Sequence, residues 1–164
     1  MFDPKVGPRV STKLQRFEVL VALILSARTS DENVAKVMEL LTAEQPASPE
    51  RLAEMDLEEL EPLLRRSGHY RAKAKYLKET AQMCLSKYDG DVPQTLSEAM
   101  ELKGVGPKVG NLLMQIAWGR IEGIAVDTHV HRICNRLGWV ETKTADQTMK
   151  RLEKWLPKEH WAEI

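Results

Sequence analysis

Leu102-Lys103-Gly104-Val105-Gly106-Pro107-Lys108 joins two apolar-striped segments through a pair of glycines. Glycine adopts positive φ at little steric cost and lets another backbone come close, so Gly104 and Gly106 permit a tight turn. Pro107 has the φ of a first helical residue and lacks only an N–H that such a position does not use. The spacing predicts a helix–turn–helix over about 95–119, with the amides near Gly104, Gly106 and Lys108 pointing outward. A helix N-terminus of this kind receives an anion through free N–H donors and its dipole. Such a backbone contact positions a nucleic acid without reading its sequence. An ordinary interhelical turn has the same signature.

Lys108 falls in the first turn of the second helix, where carboxylates are the stabilising choice. An amine must be neutral to attack carbon, and a free lysine with a pKa of about 10.4 is almost wholly charged at pH 7. A helix N-terminus and partial burial both favour the neutral form. Lys108 is therefore a candidate nucleophile, and a simple cation for a phosphate is the alternative. A lone carboxylate follows in Val126-Asp127-Thr128-His129. Asp127 is a good N-cap for the helix after it, and a partner for Lys108 if both face one cleft.

Outward from the turn, helical periodicity runs through the chain. Phe17 to Ala27 is apolar on nearly every side and reads as a central buried helix. Ser30 caps a helix striped by Val34, Val37, Met38 and Leu41. Ser48-Pro49 reads as an N-cap followed by proline at the first helical position. Asp56-x-x-Glu59 reads as a capping box before Leu60, Leu63 and Leu64. A long helix from about Tyr70 to Lys87 buries Leu77, Ala81, Cys84 and Leu85, and Gly90 and Pro93 break the chain after it. A short helix covers about Thr95 to Leu102. Val109, Leu112, Leu113, Ile116 and Ala117 stripe the next, and Val130, Ile133, Cys134 and Leu137 the one that Asp127 opens. A final helix spans about Ala145 to Trp155 before Pro157. Ile124-Ala125-Val126 has strand character but no partner strand. Eight to ten helices and no credible sheet make the fold class all-α.

The 43% apolar and 29% charged content fits a globular domain and argues against disorder. No apolar run approaches the ~20 residues of a membrane helix, so no membrane partner is expected. Met1-Phe2-Asp3-Pro4-Lys5 lacks the apolar core of a signal peptide. Cys84 and Cys134 stand far apart, which suits a reducing compartment and cannot build a cysteine-only metal site. The formal charge is +0, which argues against a uniformly basic nucleic-acid binder. Charge is segregated, however. Glu50, Glu54, Asp56, Glu58, Glu59 and Glu61 precede Arg65, Arg66, Arg71, Lys73, Lys75 and Lys78, and one positive face on a neutral protein would result. Two solvated helix faces of opposite charge are the alternative.

These motifs resemble the endonuclease III family of DNA glycosylases, within the helix-hairpin-helix superfamily. Leu102 to Lys108 matches the family's hairpin. Ile124-Ala125-Val126-Asp127-Thr128-His129-Val130, followed by Arg132-Ile133-Cys134-Asn135-Arg136, matches its aspartate segment. Weaker similarity runs from Leu20-Val21-Ala22-Leu23-Ile24-Leu25-Ser26-Ala27 to Trp155-Leu156-Pro157. The resemblance implies a helix-hairpin-helix glycosylase fold. A six-helix unit would cover 17–127, and 1–16 with 128–164 would form the start of a truncated second helical unit.

The implied activity is that of a bifunctional glycosylase/AP lyase acting in base excision repair on oxidised pyrimidines. Lys108 would form a Schiff base at C1′ and Asp127 would stabilise positive charge on the sugar. The partner would be double-stranded DNA carrying a damaged pyrimidine or an abasic site, met by a monomer in the nucleus and the mitochondrion. Gly104, Val105 and Gly106 would grip the backbone, with a monovalent cation on the hairpin carbonyls. Arg28 and His69 would fill the stack that a flipped nucleotide leaves. Arg28 stands where the family usually has glutamine, His69 where it has an apolar or aromatic wedge, and Lys103 replaces a usual proline. The family's 4Fe-4S ligands would lie beyond Ile164, so no cofactor is assigned within the chain. Two other readings are an adenine-removing monofunctional glycosylase, against which Lys108 argues, and a non-catalytic or inactive truncated helix-hairpin-helix DNA-binding module.

Overall fold

A computed structural model describes residues 10–164. The reading of Met1 to Lys5, and residues 1–9 of the expected second unit, lie outside the described residues.

The described residues form nine α-helices and one 3-10 turn, with no strand. Helix α1 (Lys13–Ser26) opens with a capping box, in which Thr12 Oγ1 accepts from the Gln15 N–H while Gln15 Oε1 accepts from the Thr12 N–H. It buries Phe17, Leu20, Val21, Ile24 and Leu25. Each fully buried side chain of this size contributes about 1.5–3 kcal/mol. Helix α2 (Asp31–Thr42) is capped by Ser30, and α3 (Pro49–Glu54) by Ser48 with Pro49 in its first turn. Helix α4 (Leu57–Leu63) leads to the long α5 (Tyr70–Tyr88). The short α6 (Leu96–Ala99) and α7 (Pro107–Trp118) flank the glycine turn. Helix α1 lies centrally against α2, α5 and α7. One apolar cluster, from Phe17 to Ala117, gathers the buried faces of these seven helices.

Helix α8 (Thr128–Arg136), α9 (Ala145–Trp155) and the 3-10 turn Lys158–Glu163 carry a second cluster of Ile124, Val126, Cys134, Val140 and Leu152. Ile124 and Val126 therefore pack with the second group, although the boundary expected at 127 put them in the first.

Several local expectations are corrected. Asp56 is the N-cap of α4 but its exposed carboxylate makes no cap bond. Asp56 lies among the exposed acidic residues Glu54, Glu58 and Glu59, whose like charge favours a solvated carboxylate there. The helix before the glycine turn ends at Ala99, so Leu102 belongs to the turn. In α5 Leu85 is only partly covered, while Lys73, Ala74 and Thr80 are buried. In α7 the buried face is Gly110, Asn111, Leu113, Met114 and Ala117, with Leu112 and Ile116 at its margin. In α8 Ile133 and Leu137 are exposed. That helix packs mainly against α9, and the second cluster takes in Val130 and Cys134 from it. Ile124-Ala125-Val126 is a bent connection and not a strand. The expected basic face shrinks, because Lys73 is buried and the Lys78 ammonium donates to the Met55 carbonyl at 2.8 Å.

Candidate active site and nucleic-acid interface

The hairpin is pinned from within. Gly104 has φ +79°, and a Cβ there would lie 3.0 Å from the Tyr76 ring and 3.3 Å from Ile24 Cγ2. Glycine is thus required both by conformation and by close approach. Val105 anchors the turn, with its side chain 7% exposed and its N–H donating to the Leu102 carbonyl at 3.3 Å. As a candidate interface residue it would hold the turn rather than offer a free amide. Gly106 differs. Its backbone is extended at φ −100°, ψ −172°, and nothing lies within 4 Å of a Cβ built on it. The fold itself therefore has no need for glycine there. The N–H groups of Gly106, Lys108 and Val109 find no acceptor among the described residues. They form an unsatisfied helix N-terminus of the type that receives a phosphate.

Lys108, the second residue of α7, places its Nζ 3.8 Å from Asp127 Oδ2. Asp127 Oδ1 is engaged elsewhere, accepting from the His129 N–H at 2.9 Å and the Val130 N–H at 2.8 Å as the N-cap of α8. Ile124 and Val126, buried in the second cluster, fix the segment just before it. The Ile124 N–H donates to Glu153 Oε1 at 2.9 Å, which ties that segment to α9. The side chains of Lys108 and Asp127 are 45% and 32% exposed. The partial burial expected for the amine is therefore modest, and the pair is open to a ligand. Burial works against ionisation of Asp127. The Val130 N–H, the Lys108 charge, the His129 N–H and the His129 charge outweigh it and hold the carboxyl below its ordinary value. A half-exposed pair at this distance contributes only about 0–1 kcal/mol to stability.

The structure also brings Arg28 and His69 together. Both have left-handed backbones, at φ +53° and +57°. Non-glycine residues there carry strain of order 1–3 kcal/mol each, and such residues cluster at functional sites. Arg28 Nη1 lies 3.4 Å from His69 Nε2. With Ile24, Ala27, Ala72, Lys73, Tyr76 and Gly104 they border a cleft of about 310 Å³. One face thus carries the Arg28–His69 pair, the cleft and the edge of the hairpin in sequence.

Two participants escaped the sequence reading. Gly68 lets the turn before α5 press on the turn after α1, since a Cβ there would lie 2.6 Å from the Arg28 carbonyl oxygen. Lys73 is 4% exposed, and its ammonium meets four oxygens at 2.5–2.9 Å. Burial pushes its pKa below the ordinary lysine value. Its ammonium is taken up by these protein oxygens, unlike that of Lys108. Its spacing was the available signal, because Lys73, Leu77, Ala81 and Cys84 fall on one helical stripe.

The two cysteines do not fit an iron–sulfur cluster. Each sits alone in a different apolar cluster, and burial pushes the Cys84 thiol up to about 12. Among the described residues no three His, Cys, Asp or Glu side chains converge on a metal position, and no helix is long and apolar enough to cross a membrane.

Residues 21–158 match the HhH-GPD superfamily of base excision DNA repair proteins. The chain is 43% identical over 165 residues to the endonuclease III-like protein 1 of Bos taurus, covering 99% of this chain and 52% of that protein. It is 41% identical over 157 residues to the endonuclease III of Thermotoga maritima, covering 96% of this chain and 73% of that one. The chain thus spans about half the length of the mammalian relative. Its fold superposes with a TM-score of 0.84 on endonuclease III trapped as a covalent DNA intermediate, at 37% identity over 98% of this chain and 74% of the other. A non-covalent endonuclease III–DNA complex gives the same TM-score at 94% and 73% coverage. From its hairpin, its lysine–aspartate pair and these likenesses, the chain belongs to the endonuclease III family of the HhH-GPD superfamily.

Proposed function

We propose that the chain carries the catalytic half of a base-excision-repair DNA glycosylase/AP lyase acting on oxidised pyrimidines. The observation that carries this reading is the 3.8 Å approach of Lys108 Nζ to Asp127 Oδ2 beside an unsatisfied helix N-terminus. A likeness to a protein trapped covalently on DNA supports it.

In this reading the free amides of Gly106, Lys108 and Val109 hold a backbone phosphate, and the hairpin carbonyls would hold a monovalent cation that would add positive charge beside it. The damaged nucleotide leaves the stack, which costs a few kcal/mol and is cheapest at a lesion. The neutral Lys108 amine attacks C1′, and the C1′–base bond breaks with its electron pair leaving on the base. Asp127 stays ionised and stabilises the positive charge that develops on the sugar. The sugar ring opens to a Schiff base on Nζ, and loss of a C2′ proton expels the 3′ phosphate. Arg28 and His69 occupy the vacated stack, where a planar guanidinium stacks on a base.

In this reading the two apolar clusters belong to two structural units, the first of them carrying the hairpin and Lys108 and the second opened by Asp127. Cys84 and Cys134 lie in separate apolar clusters and would not hold an iron–sulfur cluster together. Placement in the nucleus and mitochondrion rests on family likeness.

Incubation with an abasic-site duplex, with borohydride to trap the Schiff base and without it to score cleavage, tests the proposal. A covalent adduct and 3′ strand cleavage, both lost in Lys108→Gln, are expected. Binding without adduct or cleavage would instead support a non-catalytic module.

A further inference from the structure

Lys73 has no part in the chemistry assigned to Lys108, yet it is the most heavily bonded buried cation among the described residues. Its Nζ lies 2.7 Å from the Leu25 carbonyl, 2.5 Å from the Ala27 carbonyl, 2.9 Å from Thr29 Oγ1 and 2.8 Å from Ser67 Oγ. The first three belong to the end of α1 and the turn after it. The fourth belongs to the turn before α5. An ammonium has three N–H donors for these four oxygens, and the neutral amine would have two.

A lysine that merely capped the last carbonyls of α1 would need only Leu25 and Ala27. The additional bonds cross between the turns. Thr29 Oγ1 also accepts from the Gly68 N–H at 3.0 Å and lies 3.3 Å from Ser67 Oγ, which itself lies 3.4 Å from the Leu25 carbonyl. Arg28 sits between Ala27 and Thr29, and His69 follows Ser67 and Gly68. Each therefore projects from a turn clamped within two residues on the Lys73 side. Both backbones are left-handed, and such conformations persist only when their surroundings over-determine them.

We propose that Lys73 is a positioning residue: by joining the two turns through one buried ammonium, it sets Arg28 and His69 side by side as a single wedge. That wedge would make the chain prefer a duplex with a vacated position over single-stranded DNA. The inference rests on the reading that these turns enter the DNA stack.

The test measures binding by fluorescence anisotropy to two probes. One is a duplex with a single tetrahydrofuran abasic analogue, and the other is the same strand unpaired. The readout is the ratio of the two affinities. Arg28→Ala/His69→Ala is expected to lower that ratio about tenfold, the scale of one lost base-stacking contact. Lys73→Met is expected to lower it by a similar factor. Combined with the double variant it should add less than about twofold, because it acts through the same two side chains.

Where Lys73→Met lacks a cooperative melt, Thr29→Val/Ser67→Ala replaces it. This variant keeps the lysine, removes two of its four acceptors, and is expected to lower the ratio about threefold with the same non-additivity. If the Lys73 or acceptor variants leave the ratio unchanged, or lose as much on top of Arg28→Ala/His69→Ala as alone, Lys73 is only a helix cap. If Arg28→Ala/His69→Ala leaves the ratio unchanged, the wedge reading itself fails, and the positioning role fails with it.

Discussion

Lys108 and Asp127 meet from the opening turns of two different helices, with Lys108 second in α7 and Asp127 the N-cap of α8. The carboxylate divides its oxygens, Oδ1 closing the helix and Oδ2 lying 3.8 Å from the amine. One residue thus offers one oxygen to a structural task and leaves the other for the chemical task proposed above.

The two tasks of Asp127 separate by substitution. Asparagine caps as well as aspartate but has no charge. Asp127→Asn should leave the urea midpoint near that of the wild type, whereas Asp127→Ala should cost ~1 kcal/mol through the lost cap. Both should slow borohydride trapping by about 10² or more, because each removes the charge facing the amine. A trapping rate preserved in Asp127→Asn would confine the residue to capping.

The glycines of the interface should also behave differently from one another. Gly106→Ala puts a methyl into open space on an extended backbone, so thermal stability should change by no more than ~0.5 kcal/mol. Binding to an abasic duplex should nevertheless fall, since the methyl enters the space left for the ligand. Gly68→Ala drives a Cβ onto the Arg28 carbonyl and should lower the melting temperature. Equal loss of stability in both variants would contradict the distinction.

The sequence exposed whatever depends on near neighbours. Ser30, Ser48 and Asp127 cap helices as their spacing implied, and Pro107 opens α7. Distant pairings were not legible. Arg28 and His69 are far apart in sequence, and their contact depends on α1 and α5 packing together. Lys73 was hidden for another reason. It sits between Arg71 and Lys75 in a basic run, and composition spoke for solvent while helical period spoke for the core. The desolvation cost of burying a lysine favoured the first. Four converging oxygens offset that cost, and a single sequence does not reveal them.

Acid should weaken the fold through Asp91. Arg16 pairs with it at 2.7 and 2.9 Å, both side chains are nearly buried, and the guanidinium also lies 4.4 Å from the Trp118 ring centre. Burial opposes ionisation of Asp91, but the Arg16 hydrogen bond, the Val92 N–H and the charges of Arg16 and Lys13 hold the carboxyl below its ordinary value. A carboxyl lowered on folding stabilises above its unfolded pKa, and that stability is lost as pH falls through the folded value. Urea unfolding at pH 7 should show Asp91→Asn less stable by about 3 kcal/mol. The gap should narrow below about pH 4, where the unfolded carboxyl begins to bind its proton. A gap constant from pH 7 to pH 2 would contradict this assignment.

The most direct measurement is the position of the covalent bond to DNA. The chain is incubated with an abasic-site duplex under borohydride, digested, and the adducted peptide sequenced by mass spectrometry. The nucleotide remnant should lie on Lys108, in the peptide that begins after Lys103, and Lys73 should be unmodified. A remnant on another lysine, or Lys108→Gln forming the adduct at the wild-type rate, would contradict the assignment of the nucleophile.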